Sequence, residues 1–217
     1  RTSFSTRARA ARYSDPGGRI ISDKQFEDFE RFNEIVARDR NVKFYFLGTT
    51  VPFVYLNKTV EKLGSKAPKF LTDLAAGIRD DLRDSWASPG NQEALKRLLS
   101  GLRKLLWKRP DLNVINTSGD IHVANAFEIW PPFFPKPFYQ ITTSAITNRQ
   151  HLPDLLGQII VEGDLSFDPS LGLIRRLWPE VTDPNLLCIR VTPQKAVLTL
   201  KVLPVDGSRA GDLEIVI

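Results

Sequence analysis

The sequence predicts an α/β fold in which mixed β-sheets are sandwiched and flanked by helices, and three observations point to it. β-rich apolar runs at residues 42–47, 112–116, 123–130 and 138–143 alternate with stretches of helical period at about 23–38, 68–84 and 88–109. Residues 185–217 then change to period-two alternation broken by turn residues, which predicts a closing group of antiparallel strands. No apolar run approaches the roughly 18 residues of a membrane span, so no transmembrane segment is expected. With 217 residues, one large domain covering 1–217 is long enough to bury a sizeable core, with a basic segment over residues 1–20.

Each element has its own local cause. Ser22 and Gln25 form a capping-box pattern, and Phe26, Phe29, Phe32, Ile35 and Val36 give the apolar stripe of a helix over 23–38. No strand pattern is visible before residue 42. Val42 to Leu47 reads as a buried strand that Gly48-Thr49-Thr50-Val51-Pro52 interrupts. A second helix over 68–84 follows from Leu71, Leu74, Ala75, Ile78 and Leu82 at helical spacing. The third starts with Ser88 as N-cap and Pro89 in the first turn, and it buries Leu95, Leu98, Leu99, Leu102, Leu105 and Leu106. Lys104, Lys108 and Arg109 complement its dipole as a solvated face, and Pro110 ends it.

Leu112 to Asn116 and Val123 to Trp130 read as strands, and Phe138 to Thr143 as another. Between the last two, four prolines in Pro131 to Pro137 make a stiff loop whose Phe133 and Phe134 either overhang a cleft or pack beneath an Ω-like loop. Residues 150–184 look irregular, with a short helix over 152–161. Leu186 to Val191 and the alternating run 196–202 form a hairpin around Thr192 to Lys195, and Leu213 to Ile217 adds a third strand. Cys188 is the sole cysteine, so no internal disulfide forms.

The chemistry concentrates in Ser118-Gly119-Asp120-Ile121-His122-Val123-Ala124-Asn125, which carries one of two histidines just beyond an apolar strand. In an extended segment Asp120 and His122, at i and i+2, share a face. A carboxylate oxygen and an imidazole nitrogen together suit iron, zinc or manganese. On these residues alone, a turn-capping Asp120 with a packed core His122 accounts for the pattern equally well.

Three segments in order, Asp84-Ser85-Trp86, Ser118 to His122 and Gln140-Ile141-Thr142-Thr143-Ser144, resemble the PhoD-like phosphatases of the calcineurin-like metallophosphoesterase superfamily. Members show a D-x-W segment, a helix, a strand ending in S-G-D-[VI]-H and a strand leading to Q-x-x-[ST]-S. The resemblance implies metal-dependent hydrolysis of phosphate mono- or diesters by an enzyme holding iron with calcium, or another metal pair. It implies His122 as a metal ligand, Asp120 as a ligand or the orienter of one, and Asp84 and Asn125 as groups supporting them. It also places Thr49 and Thr50 near the site. The family's further aspartates and asparagine precede anything visible in this sequence. The chain is therefore expected to be the C-terminal part of the domain, truncated at its N-terminus and inactive by itself, with 185–217 as closing strands. A non-catalytic binding or scaffold domain that keeps the fold is the alternative.

A net charge of +5 favours anionic partners such as phosphate esters or nucleic acid. The basic cluster around Lys104 to Arg109 lacks interleaved aromatics apart from Trp107, so nucleic acid has no support beyond charge. Arg1, Arg7, Arg9 and Arg12 read first as a solvated basic tail. Their composition also fits the end of a transit peptide, and by resemblance Arg1 and Arg7 fit an arginine segment of the family. No glycine-rich phosphate loop and no G-x-S-x-G elbow is present.

Overall fold

The computed structural model describes residues 3–5, 20–54, 86, 91–119, 123–143, 165–203 and 211–217. Helix α1 spans Asp23–Arg38 and begins as its sequence predicts. Ser22 Oγ accepts from Gln25 N at 3.3 Å, and Gln25 Oε1 accepts from Ser22 N at 3.0 Å, so two donors left open at a helix start are satisfied reciprocally. Helix α2 spans Gln92–Lys108 and starts at Asn91, not at Ser88, which lies outside the described residues. The Asn91 side chain makes no cap. Its Oδ1 accepts instead from Ile20 N at 3.3 Å, tying this helix to the segment ahead of α1. Gly101 permits a close approach of the two helices, since a Cβ there would stand 2.6 Å from Phe29 Cε1.

Ten strands follow in chain order: β1 (Ser3–Ser5), β2 (Phe44–Gly48), β3 (Asn113–Ser118), β4 (Ala124–Trp130), β5 (Phe138–Thr142), β6 (Leu165–Asp168), β7 (Gly172–Val181), β8 (Asn185–Val191), β9 (Ala196–Val202) and β10 (Leu213–Val216). Seven form one mixed sheet in the order β1-β2-β3-β5-β4-β7-β6, and the last three form an antiparallel sheet in the order β10-β9-β8. In the large sheet β1, β2, β3 and β5 run parallel, while β4, β7 and β6 pair antiparallel. Strand β1 lies ahead of residue 42, where no pattern was visible, because three residues are too few to show a period.

Alternation sorts the large sheet into two faces. Tyr45, Leu47, Val114, Phe127 and Phe138 join Phe26, Phe29, Leu98 and Leu102 of the helices in one core. Phe44, Ile115, Ala126, Ile141 and Trp178 join Ala196, Leu198 and Leu200 of β9 in the other. Helices therefore cover one face and the small sheet covers the other. Among the described residues no helix is long and apolar enough to cross a membrane.

Three further expectations change. Part of the stretch read as irregular is the β6–β7 hairpin, with Gly172 at φ 71° in its turn. Pro179 falls where the β4–β7 register shifts, a place where its missing N–H breaks no regular ladder. The helix expected over 152–161 lies outside the described residues, as does the one over 68–84. Arg109 is no solvated charge. It is fully buried and donates to the carbonyls of Val36, Asp39 and Val42 at 2.7, 2.6 and 2.6 Å, and to both Asp111 carboxylate oxygens at 2.9 and 3.0 Å. The Pro131 to Pro137 loop follows the far end of β4, about five residues or some 17 Å along the sheet from Asn125, so it does not overhang a site there.

Candidate functional site

On the helix-covered face, the side chains turn from apolar to polar toward the carboxyl ends of β2, β3 and β5. Thr49 follows β2, Asn116 and Ser118 lie in β3, Gln140 and Thr142 in β5, and Asn125 near the start of the antiparallel β4. The register sets Asn116 against Gln140, Ser118 against Thr142, and Thr142 against Asn125. All six are buried, and Asn116, Gln140, Thr142 and Asn125 expose nothing. Buried polar groups persist in a core when bonded, so this layer can be audited bond by bond.

Most of it is satisfied. Asn116 Nδ2 donates to Leu47 O at 3.0 Å and to Thr49 Oγ1 at 2.9 Å. The Ser118 and Thr142 hydroxyls share a hydrogen bond of 3.1 Å. Gln140 is the hub: its Oε1 accepts from Phe53 N at 2.7 Å and Val54 N at 2.9 Å, and its Nε2 donates to Val54 O at 3.2 Å. The loop 49–54 is thereby splinted onto the central strands. Trp86, nearly fully buried, holds it from another side through Nε1 to Val51 O at 3.1 Å and a tilted ring contact with Phe53 at 5.3 Å between centroids.

Asn125 is the exception. Among the described residues neither its Oδ1 nor its Nδ2 has a hydrogen-bond partner, although the residue exposes no surface. Thr50 Oγ1 is likewise buried and unpartnered. At the β4–β7 irregularity, Glu180 Oε2 accepts from Arg176 Nη1 at 2.7 Å, and its Oε1 is buried with no partner among the described residues. Such groups cost about 1–3 kcal/mol each when they stay unpaired.

The same edge carries Ser118 and Gly119, the described start of the Ser118 to His122 motif. Thr49 N donates to Thr117 O at 2.9 Å and Thr143 N to Ser118 O at 3.0 Å, so the end of β3 is laced to both neighbours. Gly119 N donates to Thr50 O at 3.4 Å. Asp120 and His122 lie outside the described residues, in the three-residue link between Gly119 and Val123, and Asp84 and Ser144 also lie outside. Of the residues singled out from sequence, Asn125, Trp86, Thr49 and Thr50 are described, and all four belong to this edge. Sequence reading missed Asn116 and Glu180, and it quoted Ser118, Gln140 and Thr142 only as parts of motifs. The signal was present in two neighbouring strands, as polar residues at i and i+2 ending apolar runs.

The described residues contain no group of three or more His, Cys, Asp and Glu side chains able to hold a metal.

The molecule is thus a mixed α/β protein with a helix layer, a large sheet, a small sheet and a polar strand-end edge. No protein-family model matches the chain, and no curated protein does. Among solved structures, one titled "Structure of PhoD" is similar with a TM-score of 0.46 and 13% identity, covering 96% of this chain and 34% of that one. The chain spans about a third of the length of that protein.

Proposed function

We propose that this chain is the C-terminal part of a PhoD-like metallophosphoesterase domain of the calcineurin-like fold, whose full-length form hydrolyses phosphate mono- or diesters with bound metal ions. The observation that carries the reading is the fully buried, unpartnered amide of Asn125, three residues after His122 and on the edge to which the Ser118 to His122 motif leads. An amide left in that state has a use where a ligand completes its bonds.

In this reading Asp120 and His122 hold the metal, iron with calcium or another pair, and Asn125 and Asp84 orient the groups around it. The metal supplies Lewis acidity toward phosphoryl oxygens and lowers the pKa of a bound water. The chain's own contribution is positional. Ser118, Thr142 and Asn116 fix the strand ends, Gln140 and Trp86 fix the adjoining loop, and the surrounding apolar core keeps bulk water out. In low dielectric such preorganised groups act more strongly than in water.

The test is hydrolysis of a generic phosphodiester and a monoester by the full-length protein supplied with iron, calcium and manganese, before and after chelation. Turnover that the chelator abolishes is expected, with none from residues 1–217 alone, because one histidine and one or two carboxylates do not fix two metals. Turnover that is absent under all metals, or unaffected by chelation, overturns the reading.

A further inference from the structure

Two adjacent threonines end β2, and the structure treats them differently. Thr49 Oγ1 accepts from Asn116 Nδ2 at 2.9 Å, a bond that holds the loop. Thr50 Oγ1 is buried and has no hydrogen-bond partner among the described residues, while the backbone around it is fixed from four directions. Its carbonyl accepts from Gly119 N, Thr49 N is held by Thr117 O, Val51 O by Trp86, and Phe53 and Val54 by Gln140. A loop this heavily tied orders its one idle hydroxyl at no further cost when a ligand arrives, which is how a preorganised contact is built. The Gly119 bond places that residue beside the start of the D-x-H segment.

We infer that Thr50 is a ligand-contacting residue of this edge, its hydroxyl donating to a phosphoryl oxygen of the bound ester or of product phosphate, with Gln140 as the positioning residue that holds its loop. The inference rests on the phosphoesterase reading for its ligand class. Its geometry rests on the loop alone. A hydroxyl suits this role because it donates to an anionic oxygen without adding charge beside a metal.

The test compares Thr50→Val, Thr50→Ser and Thr49→Val in the full-length protein supplied with manganese. Melting temperature, affinity for inorganic phosphate from ligand-induced melting shifts, and kcat with KM on the phosphodiester are measured. Thr50→Val is expected to melt at or above the wild type, because it removes an unsatisfied hydroxyl, yet to bind phosphate about tenfold more weakly. Thr50→Ser retains wild-type phosphate affinity. Thr49→Val shows the reverse signature, a lower melting temperature with phosphate affinity retained. Gln140→Leu speeds amide hydrogen exchange at Phe53 and Val54 and lowers kcat more than it raises KM. Unchanged phosphate affinity in Thr50→Val overturns the proposal, as does a loss of melting temperature equal to that of Thr49→Val. Phosphate binding that depends on the Thr50 hydroxyl in a protein without turnover sustains the contact and removes only the hydrolytic reading. A wild type that does not bind phosphate at all removes both.

Discussion

At the amino ends of the parallel strands, Arg109 makes five hydrogen bonds, Asp111 also takes Lys43 at 3.0 Å, and Lys136 donates to Asn113 at 2.7 Å. At the opposite end of the sheet, the Thr50 hydroxyl after β2 and the fully buried Asn125 side chain near the start of the antiparallel β4 make none among the described residues. One sheet thus holds polar groups at both ends under different conditions. The bonded groups at the amino end close the loops after α1 and α2 and serve stability. Buried atoms without a partner among the described residues also occur at Asn33 and Tyr45, but at the carboxyl end they adjoin the bonded layer of Asn116, Ser118, Gln140 and Thr142, at a cost to stability.

Substitution at the amino end should produce the largest loss of stability. Arg109→Met leaves three backbone carbonyls and the Asp111 carboxylate without their donor, so unfolding in urea should reveal a loss of about 3–5 kcal/mol. If the variant unfolds within 1 kcal/mol of the wild type, the knot is not what holds these loops.

The sharpest comparison is between two amides on neighbouring strands, both fully buried. Gln140→Leu removes bonds to Phe53, Val54 and the loop, and should cost about 2–3 kcal/mol. Asn125→Leu removes an amide that bonds to nothing, so it should leave stability level or raise it by about 1 kcal/mol while reducing metal-dependent turnover by on the order of tenfold or more. Equal losses of stability from the two would mean that Asn125 is bonded in the folded protein, and the contrast between the ends would fail.

A smaller effect follows from Asp111. Its hydrogen bonds with the Arg109 guanidinium, the largest cause, hold its carboxyl well below the ordinary carboxylate range, with Lys43 assisting against partial burial. A depressed folded-state pKa contributes stability that is fully present above the unfolded value near 4 and is lost as pH falls below it toward the folded value. Urea midpoints between about pH 5 and 2 should therefore fall more steeply for the wild type than for Asp111→Asn. Parallel slopes would show that the pair contributes nothing to acid sensitivity.

Local pattern made much of this architecture legible. Helix α1 was set by Ser22, Gln25 and its phenylalanine stripe, and the small sheet by Ala196, Leu198 and Leu200 alternating with Val197, Thr199 and Lys201. Illegible features depended on distant partners. Arg109 looked like a dipole complement because three of its acceptors are backbone carbonyls far away in sequence, which leave no side-chain signature, and the nearby Asp111 alone does not show that the guanidinium is buried. Ser88 looked like the natural cap of α2, while Asn91 spends its side chain on Ile20. Strand β7 was hidden by Pro179 and by arginines that interrupt its alternation, features that a bulged strand tolerates. At the site, residue types drew attention to Asn125, Thr49, Thr50 and Trp86, but only pairing between strands brought Gln140, Thr142 and Glu180 to the same edge.

The central claim is that the carboxyl edge is a metal site centred on the Asp120–His122 motif. Elemental analysis of the full-length protein and of its His122→Ala variant, with melting temperatures in chelator and in excess metal, tests it most directly. Metal bound only by the folded state raises the wild-type melting temperature by mass action, so the account predicts that His122→Ala loses metal, loses that increment, and melts with the chelated wild type. Full metal occupancy in His122→Ala, or the same loss of melting temperature with and without metal, would contradict it and leave His122 a packed core histidine.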